Sequence, residues 1–209
     1  MKKIAAGAAL GVALSLAMPL AAQAAPVDTT AADSRTNAVL IERANRKPVQ
    51  HDAKAGKGAV TTMAAYGTYP TRKGVILATP DAFKGLIPTG HAAIIYASGT
   101  VVESLSGGVT TGSNNWRHTK KQAYGVSVSS TTAAQDATAA NWSYARIGKP
   151  YNWNYLDTGT RAKFYCSQLV WASFKDNFGI DLNTSAWLNA VHPMELVDTD
   201  KTYLVWRKA

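Results

Sequence analysis

From Tyr66 onward the chain alternates short apolar runs with breaks rich in glycine, proline and asparagine, and only later offers stretches long enough for helices. That order constrains the fold more than any other feature. Gly74–Ala78, His91–Ala97, Val101–Leu105 and Tyr124–Ser129 are too short for stable helices and are bounded by turn residues, as strands are. Ser98-Gly99 marks a tight turn between the second and third. Gly107-Gly108 and Gly112 to Asn115 read as loop. In the fourth run Val126 and Val128 alternate onto one face. Two helices follow. Thr132 and Gln135 have capping-box spacing, which starts a helix running to about Ile147, with Gly148 to cap it and Pro150 to stop it. The second begins near Cys166, carries Val170, Phe174 and Phe178 on one stripe, and ends at Gly179. Tyr203–Trp206 is a last strand. Strands, then helices, then a strand predict an α+β domain.

The N-terminus reads differently. Met1-Lys2-Lys3 is a positive head, Ile4 to Leu20 is apolar, and Ala22-Gln23-Ala24 fits a small-x-small cleavage site before Ala25. Residues 1–24 are therefore expected to be a secretory signal peptide. Residues 25–66 are expected to form a basic, flexible leader with a short helix near Asn37–Lys47 and a linker at His51–Gly58. A propeptide covering an active site is the alternative. The folded domain is expected over residues 67–209. With 46% apolar and 17% charged residues, a chain of 209 residues can bury a core. The net charge of +9 suits an anionic partner. An exported protein meets wall polymers rather than nucleic acid, so the expected setting is secreted or wall-associated, with no stable membrane anchor after cleavage.

Cys166 is the one cysteine, which excludes an intrachain disulfide framework and a cysteine-rich zinc site. It stands in Phe164-Tyr165-Cys166-Ser167-Gln168, at the start of the second helix. Backbone N–H groups at a helix N-terminus favour a thiolate, and the N–H of Cys166 can serve an oxyanion. A buried, inert thiol is the alternative. A thiolate nucleophile needs an imidazole to move its proton. Of the four histidines, His51 lies in the leader, His118 among cations and His192 before Pro193. His91 opens a buried strand directly after Gly90. Glu103, on the returning strand, is a candidate to orient it. A plain two-residue turn at Ser98-Gly99, however, pairs Glu103 with Ile94, on the wrong face and about 10 Å along the strand from His91. A bulge or wider loop is required. Tyr151, Trp153, Tyr155 and Tyr165 cluster before the cysteine. Tyr151 and Tyr165 are the candidate substrate-binding residues, while Trp153 and Tyr155 read more readily as core. Asn114-Asn115-Trp116 is a weaker candidate for a carbohydrate-contacting loop.

Five segments in this order, Gly90-His91-Ala92-Ala93-Ile94-Ile95, Val101-Val102-Glu103, Gly148-Lys149-Pro150-Tyr151-Asn152, Tyr165 to Trp171 and His192-Pro193-Met194-Glu195-Leu196, resemble the circularly permuted papain-like cysteine peptidases. These are the YiiX-like branch of the NlpC-type cell-wall amidase superfamily. The resemblance covers about residues 72 to 207. It implies a small antiparallel, barrel-like sheet packed against the cysteine helix. It also implies Cys166 as nucleophile, His91 as base and then acid, and Glu103 as the orienting group. The related enzymes mostly cleave amide bonds of peptidoglycan stem peptides. Two departures stand out: Lys73-Gly74-Val75 lacks the acidic residue common in the first strand, and Gln168 stands where glutamate is frequent.

The chain carries no phosphate-binding loop, no His-Glu-x-x-His and no Gly-x-Ser-x-Gly elbow, so no cofactor or metal is expected. Two other functions stay open. One is a thiol acyltransferase or lipid-processing enzyme using the same residues. The other is a non-catalytic basic domain that binds cell-wall polymers.

Overall fold

A computed structural model describes residues 29–56, 66–81 and 90–208. The signal-peptide expectation lies outside them. In chain order the elements are α1 (Thr29–Arg46), β1 (Ile76–Thr79), β2 (His91–Ala97), β3 (Thr100–Leu105), β4 (Gly108–Ser113), α2 (Trp116–Thr119), β5 (Ala123–Val128), α3 (Ala133–Tyr144), α4 (Cys166–Phe178), α5 (Glu195–Asp198) and β6 (Thr202–Lys208). The strands form one six-stranded sheet in the order β4-β3-β2-β1-β5-β6, antiparallel throughout. The α+β expectation holds.

Alternation along the strands gives the sheet two apolar faces. Ile76, Ala78, Ala92, Ile94, Val102 and Val126 face the main core, where α3 and α4 supply Ala139, Ala140, Leu169, Val170 and Phe174. Val75, Leu77, Ala93, Ile95 and Val101 face the other side, closed by Trp116, Val205 and Trp206. The capping box at Thr132 forms as expected: its hydroxyl accepts from Gln135 N, and the Gln135 carboxamide accepts from Thr132 N. α4 ends at Gly179, whose φ of +68° is left-handed and suits glycine. Two expectations differ. β4 occupies the stretch read as loop, because backbone pairing with β3 does not require apolar side chains on an edge strand. α3 ends at Tyr144, three residues early, and turns lead on to Gly148.

The flexible-leader expectation is corrected for residues 29–56. Leu40 and Ala44 of α1 are buried in the main core. Lys47 Nζ donates to Val197 O and Thr199 O, both at 2.7 Å. Val49 pairs with Leu204, and Gln50 N donates to Leu204 O at 2.7 Å. Asn45 Oδ1 accepts from Tyr124 Oη at 2.7 Å. The expected linker contains Lys54, whose ammonium reaches the buried Asp136 at 3.1 Å. Arg72 bonds Asp136 at 2.8 Å and Asp52 at 2.7 Å. Lysines that look like solvated charge in the sequence are thus spent on carbonyls and one buried carboxylate.

Candidate active site

His91, Glu103 and Cys166 come together at one end of β2, β3 and α4. The register explains how Glu103 arrives. Ala97 pairs with Thr100, as the two-residue turn requires, but Ile95 pairs with Val101, Ile94 with Val102 and Ala93 with Glu103. Tyr96 is the residue without a partner. One unpaired residue shifts everything beyond it by one position, which moves Glu103 to the face carrying Ala93 and His91. The ring of Tyr96 stacks on Tyr144 of α3 with centroids 4.1 Å apart, and Lys73 Nζ lies 3.9 Å over it. Glu103 Oε2 then sits 2.6 Å from His91 Nε2. The separation expected from a plain hairpin is corrected by this bulge.

Gly90 and Gly112 make room for the pair. At Gly90 φ is +96°, and a Cβ would lie 2.2 Å from Thr79 O, so His91 enters β2 through a backbone approach that only glycine allows. At Gly112 on β4 a Cβ would lie 2.0 Å from Glu103 Oε1. The missing side chain is the space the carboxylate fills. Trp116 lies against the imidazole, with ring centroids 5.6 Å apart and planes 30° apart.

Cys166 is the first residue of α4 and is buried, as is His91. Burial pushes the thiol up. A hydrogen bond and charge from His91, the N–H of Ala92 and the Ser167 hydroxyl outweigh burial and hold the thiol below its ordinary value. Burial likewise works to lower the imidazole, but Cys166 and Glu103 raise it to about 9. With Nε2 committed to Glu103, Nδ1 is the ring nitrogen that serves the thiol. The opposite shifts run in the directions that favour a thiolate beside an imidazolium.

The aromatic residues divide. Tyr151 is buried against the thiol; burial and the negative charge at Cys166 push its hydroxyl far up, so it stays protonated. Tyr165 is also buried and accepts from Val191 N at 2.9 Å, so its ring packs as floor rather than as an open wall. Trp153 is 56% exposed and Tyr155 37%, contrary to the core expectation. What this stretch buries instead is the polar side chain of Asn152, paired with the buried Gln168. Asn152 Nδ2 donates to Gln168 Oε1 at 3.0 Å, and Gln168 Nε2 donates to the carbonyls of Asp157, Thr158 and Thr160. A glutamate at 168 could make none of those three donations, which accounts for one departure noted in the sequence. Asn114 and Trp116 are structural rather than exposed: Asn114 bonds Pro70 O and Ser98 O, and Trp116 is buried. Gly112 was not legible as a site residue, since it carries no titratable group and depends on strand pairing, and Trp116 was read as a loop contact rather than as a ring against His91.

A sheet whose strand histidine precedes, in the chain, the helix that starts with the cysteine defines a papain-like thiol site in permuted order. The comparisons agree. Residues 78–203 match the family described as permuted papain-like amidase enzymes, YaeF/YiiX, C92 family. The chain belongs to this family. It is 30% identical over 117 residues to the uncharacterized protein YycO of Bacillus subtilis (strain 168), covering 54% of this chain. The match spans 47% of that relative, about half its length. The crystal structure of a protein titled metalloprotein YiiX, from Escherichia coli O157:H7, aligns with a TM-score of 0.50 at 15% identity. The alignment covers 65% of this chain and 96% of that one, and it supports the fold. Among the described residues, no group of three or more His, Cys, Asp or Glu side chains is arranged to hold a metal ion.

Proposed function

We propose that the protein is a secreted thiol amidase or endopeptidase that cleaves amide bonds in peptidoglycan stem peptides through Cys166, His91 and Glu103. The observation that carries this reading is the line from the buried Cys166 and His91 to the half-buried Glu103, with the thiol shifted down and the imidazole up. The Cys166 thiolate attacks the amide carbonyl. The backbone N–H of Cys166 and the protonated Tyr151 hydroxyl are the donors for the oxyanion that forms. The imidazolium of His91 gives its proton to the leaving amine, and a thioester remains on Cys166. His91 then takes a proton from water, the hydroxide releases the acid, and the thiolate–imidazolium pair is restored. Glu103 fixes the ring and stabilises its charged form. Export rests on residues 1–24; their removal takes Lys2 and Lys3 from the net charge of +9, and the remaining positive balance suits anionic wall polymers as surroundings.

The test is digestion of purified stem peptides, with new amines and acids read by mass spectrometry. Wild type should release them and Cys166→Ala should not. Equal release by Cys166→Ala refutes the mechanism. N-terminal sequencing of exported protein should begin at Ala25, and a start at Met1 refutes cleavage.

One observation favours a second reading, acyl transfer from an apolar donor. Trp153 (56%), Leu156 (61%) and Leu188 (75%) are exposed, on segments held by Gln168 and by Glu195. Thiol-dependent transfer from a lipid donor, with no release from stem peptides, would select it.

A further inference from the structure

The segment 184–192 holds the only two non-glycine residues with positive φ among the described residues, Ser185 at +62° and Leu188 at +59°. Such backbone is held in place only where its surroundings over-determine it. Here the holder is Glu195, at the start of α5. Its side chain is fully buried. Oε1 accepts from Thr184 Oγ1 at 2.6 Å, Ala186 N at 2.8 Å and Thr184 N at 3.3 Å. Oε2 accepts from His192 N at 2.7 Å. His192 in turn stacks on Trp187 with centroids 4.6 Å apart and accepts at Nδ1 from Met194 N. One carboxylate thus gathers both ends of the segment.

The segment reaches the cysteine through one peptide unit on each side of Val191. Val191 N donates to Tyr165 Oη at 2.9 Å, and Val191 O accepts from Ser167 Oγ at 2.6 Å. Tyr165 and Ser167 are the two chain neighbours of Cys166. Val191 therefore braces the first turn of α4 on both sides of the thiol, and Glu195 braces Val191 through the adjoining His192 N–H.

We infer that Glu195 is a positioning residue for Cys166, setting the thiol against His91 through the Val191 clamp on Tyr165 and Ser167. This rests on the proposed Cys166–His91 pair. Glu195 touches no reacting atom, so its effect is on where the thiolate sits. A glutamine at 195 turns one acceptor oxygen into a donor NH2 and must point it at His192 N or at the Thr184/Ala186 donors.

The experiment is the alkylation rate of Cys166 with iodoacetamide against pH, in wild type, Glu195→Gln, Thr184→Val and Tyr165→Phe, with circular dichroism and Tm on each. Wild type should react as a thiol ionising below the ordinary value of about 8.5. Glu195→Gln should move the midpoint up by about one pH unit, with about ten-fold slower reaction on the acid side, where rate follows the thiolate fraction. Thr184→Val and Tyr165→Phe, each removing one link, should shift it the same way by less. Glu195→Gln combined with Tyr165→Phe should shift it by less than the two single effects added, because both act through Val191. A lower Tm with an unmoved midpoint in Glu195→Gln overturns the inference and leaves Glu195 as packing. If that variant does not fold, unmoved midpoints in the other two overturn it equally. An ordinary midpoint in wild type is a different result: it refutes the resting thiolate pair itself.

Discussion

Gly112→Ala is a single methyl group added to an edge strand, and it should disable the site from outside. The methyl carbon would lie 2.0 Å from Glu103 Oε1 and 3.0 Å from Cδ, whereas real Cβ contacts essentially never fall under 3.0 Å. The carboxylate must retreat by about 1 Å and carry Oε2 with it, which takes the 2.6 Å bond to His91 Nε2 beyond about 3.2 Å, where such bonds fail. Hydrogen bonds to charged groups contribute about 1.5–3 kcal/mol. Their loss here should lower the imidazole from about 9 and cut turnover by about ten- to a hundredfold. Gly112 has no positive φ, so alanine adds no backbone strain there, and the Tm should fall only by the several degrees that the lost Glu103–His91 bond is worth. The assay is the pH profile of Cys166 alkylation and of amide hydrolysis. The basic limb should move to lower pH, and Glu103→Gln should reproduce the change. A folded Gly112→Ala protein with an unchanged pH profile would refute the claim that the missing side chain seats the orienting carboxylate.

The pH dependence of the wild type follows from the same pair. Hydrolysis should rise as the thiolate forms, below the ordinary thiol range, and fall through about pH 9 as His91 loses its proton. The stability that His91 contributes has the matching sign: with a folded value above the ordinary 6.5, it is full below that pH and is lost as pH rises through about 9. His91→Ala should abolish the depressed thiol, seen as alkylation that behaves like free cysteine. Asp136→Ala should leave Lys54 without a carboxylate and Arg72 with Asp52 alone, both largely buried, and cost about 3 kcal/mol, read as a Tm drop on the order of 10 °C. Deleting residues 25–56 should lower the Tm by several degrees, since Leu40, Ala44, Lys47 and Lys54 all bond or pack into the domain. An unchanged Tm would restore the view of that stretch as a dispensable leader. A gain of activity with an unchanged Tm would mark it as an inhibitory propeptide.

Local signals were readable wherever the chemistry is local. The capping box at Thr132 and Gln135, the glycine stop at Gly179 and the cysteine at a helix start each depend on residues within a few positions of one another. The leader misled because composition reports only that lysines are present. Whether a lysine is solvated or donates to a carbonyl 150 positions away, as Lys47 does to Val197, is a tertiary fact. Trp153 and Tyr155 misled for a related reason. Hydrophobicity favours burial, but in this segment it is Asn152, paired with Gln168, that is buried and the two rings that face outward.

Sequence alone determined the α+β order of elements and the thiol at the start of its helix, and it singled out His91 among four histidines as the candidate partner. Apolar periodicity, turn residues and capping chemistry are encoded within short windows, so they survive without the fold. Only the tertiary structure decided that Glu103 meets His91. That meeting hangs on one unpaired residue, Tyr96, whose ring stacks on a helix almost fifty positions later. A strand changes face with every residue, so one residue of register separates an oriented imidazole from a carboxylate on the opposite side of the sheet.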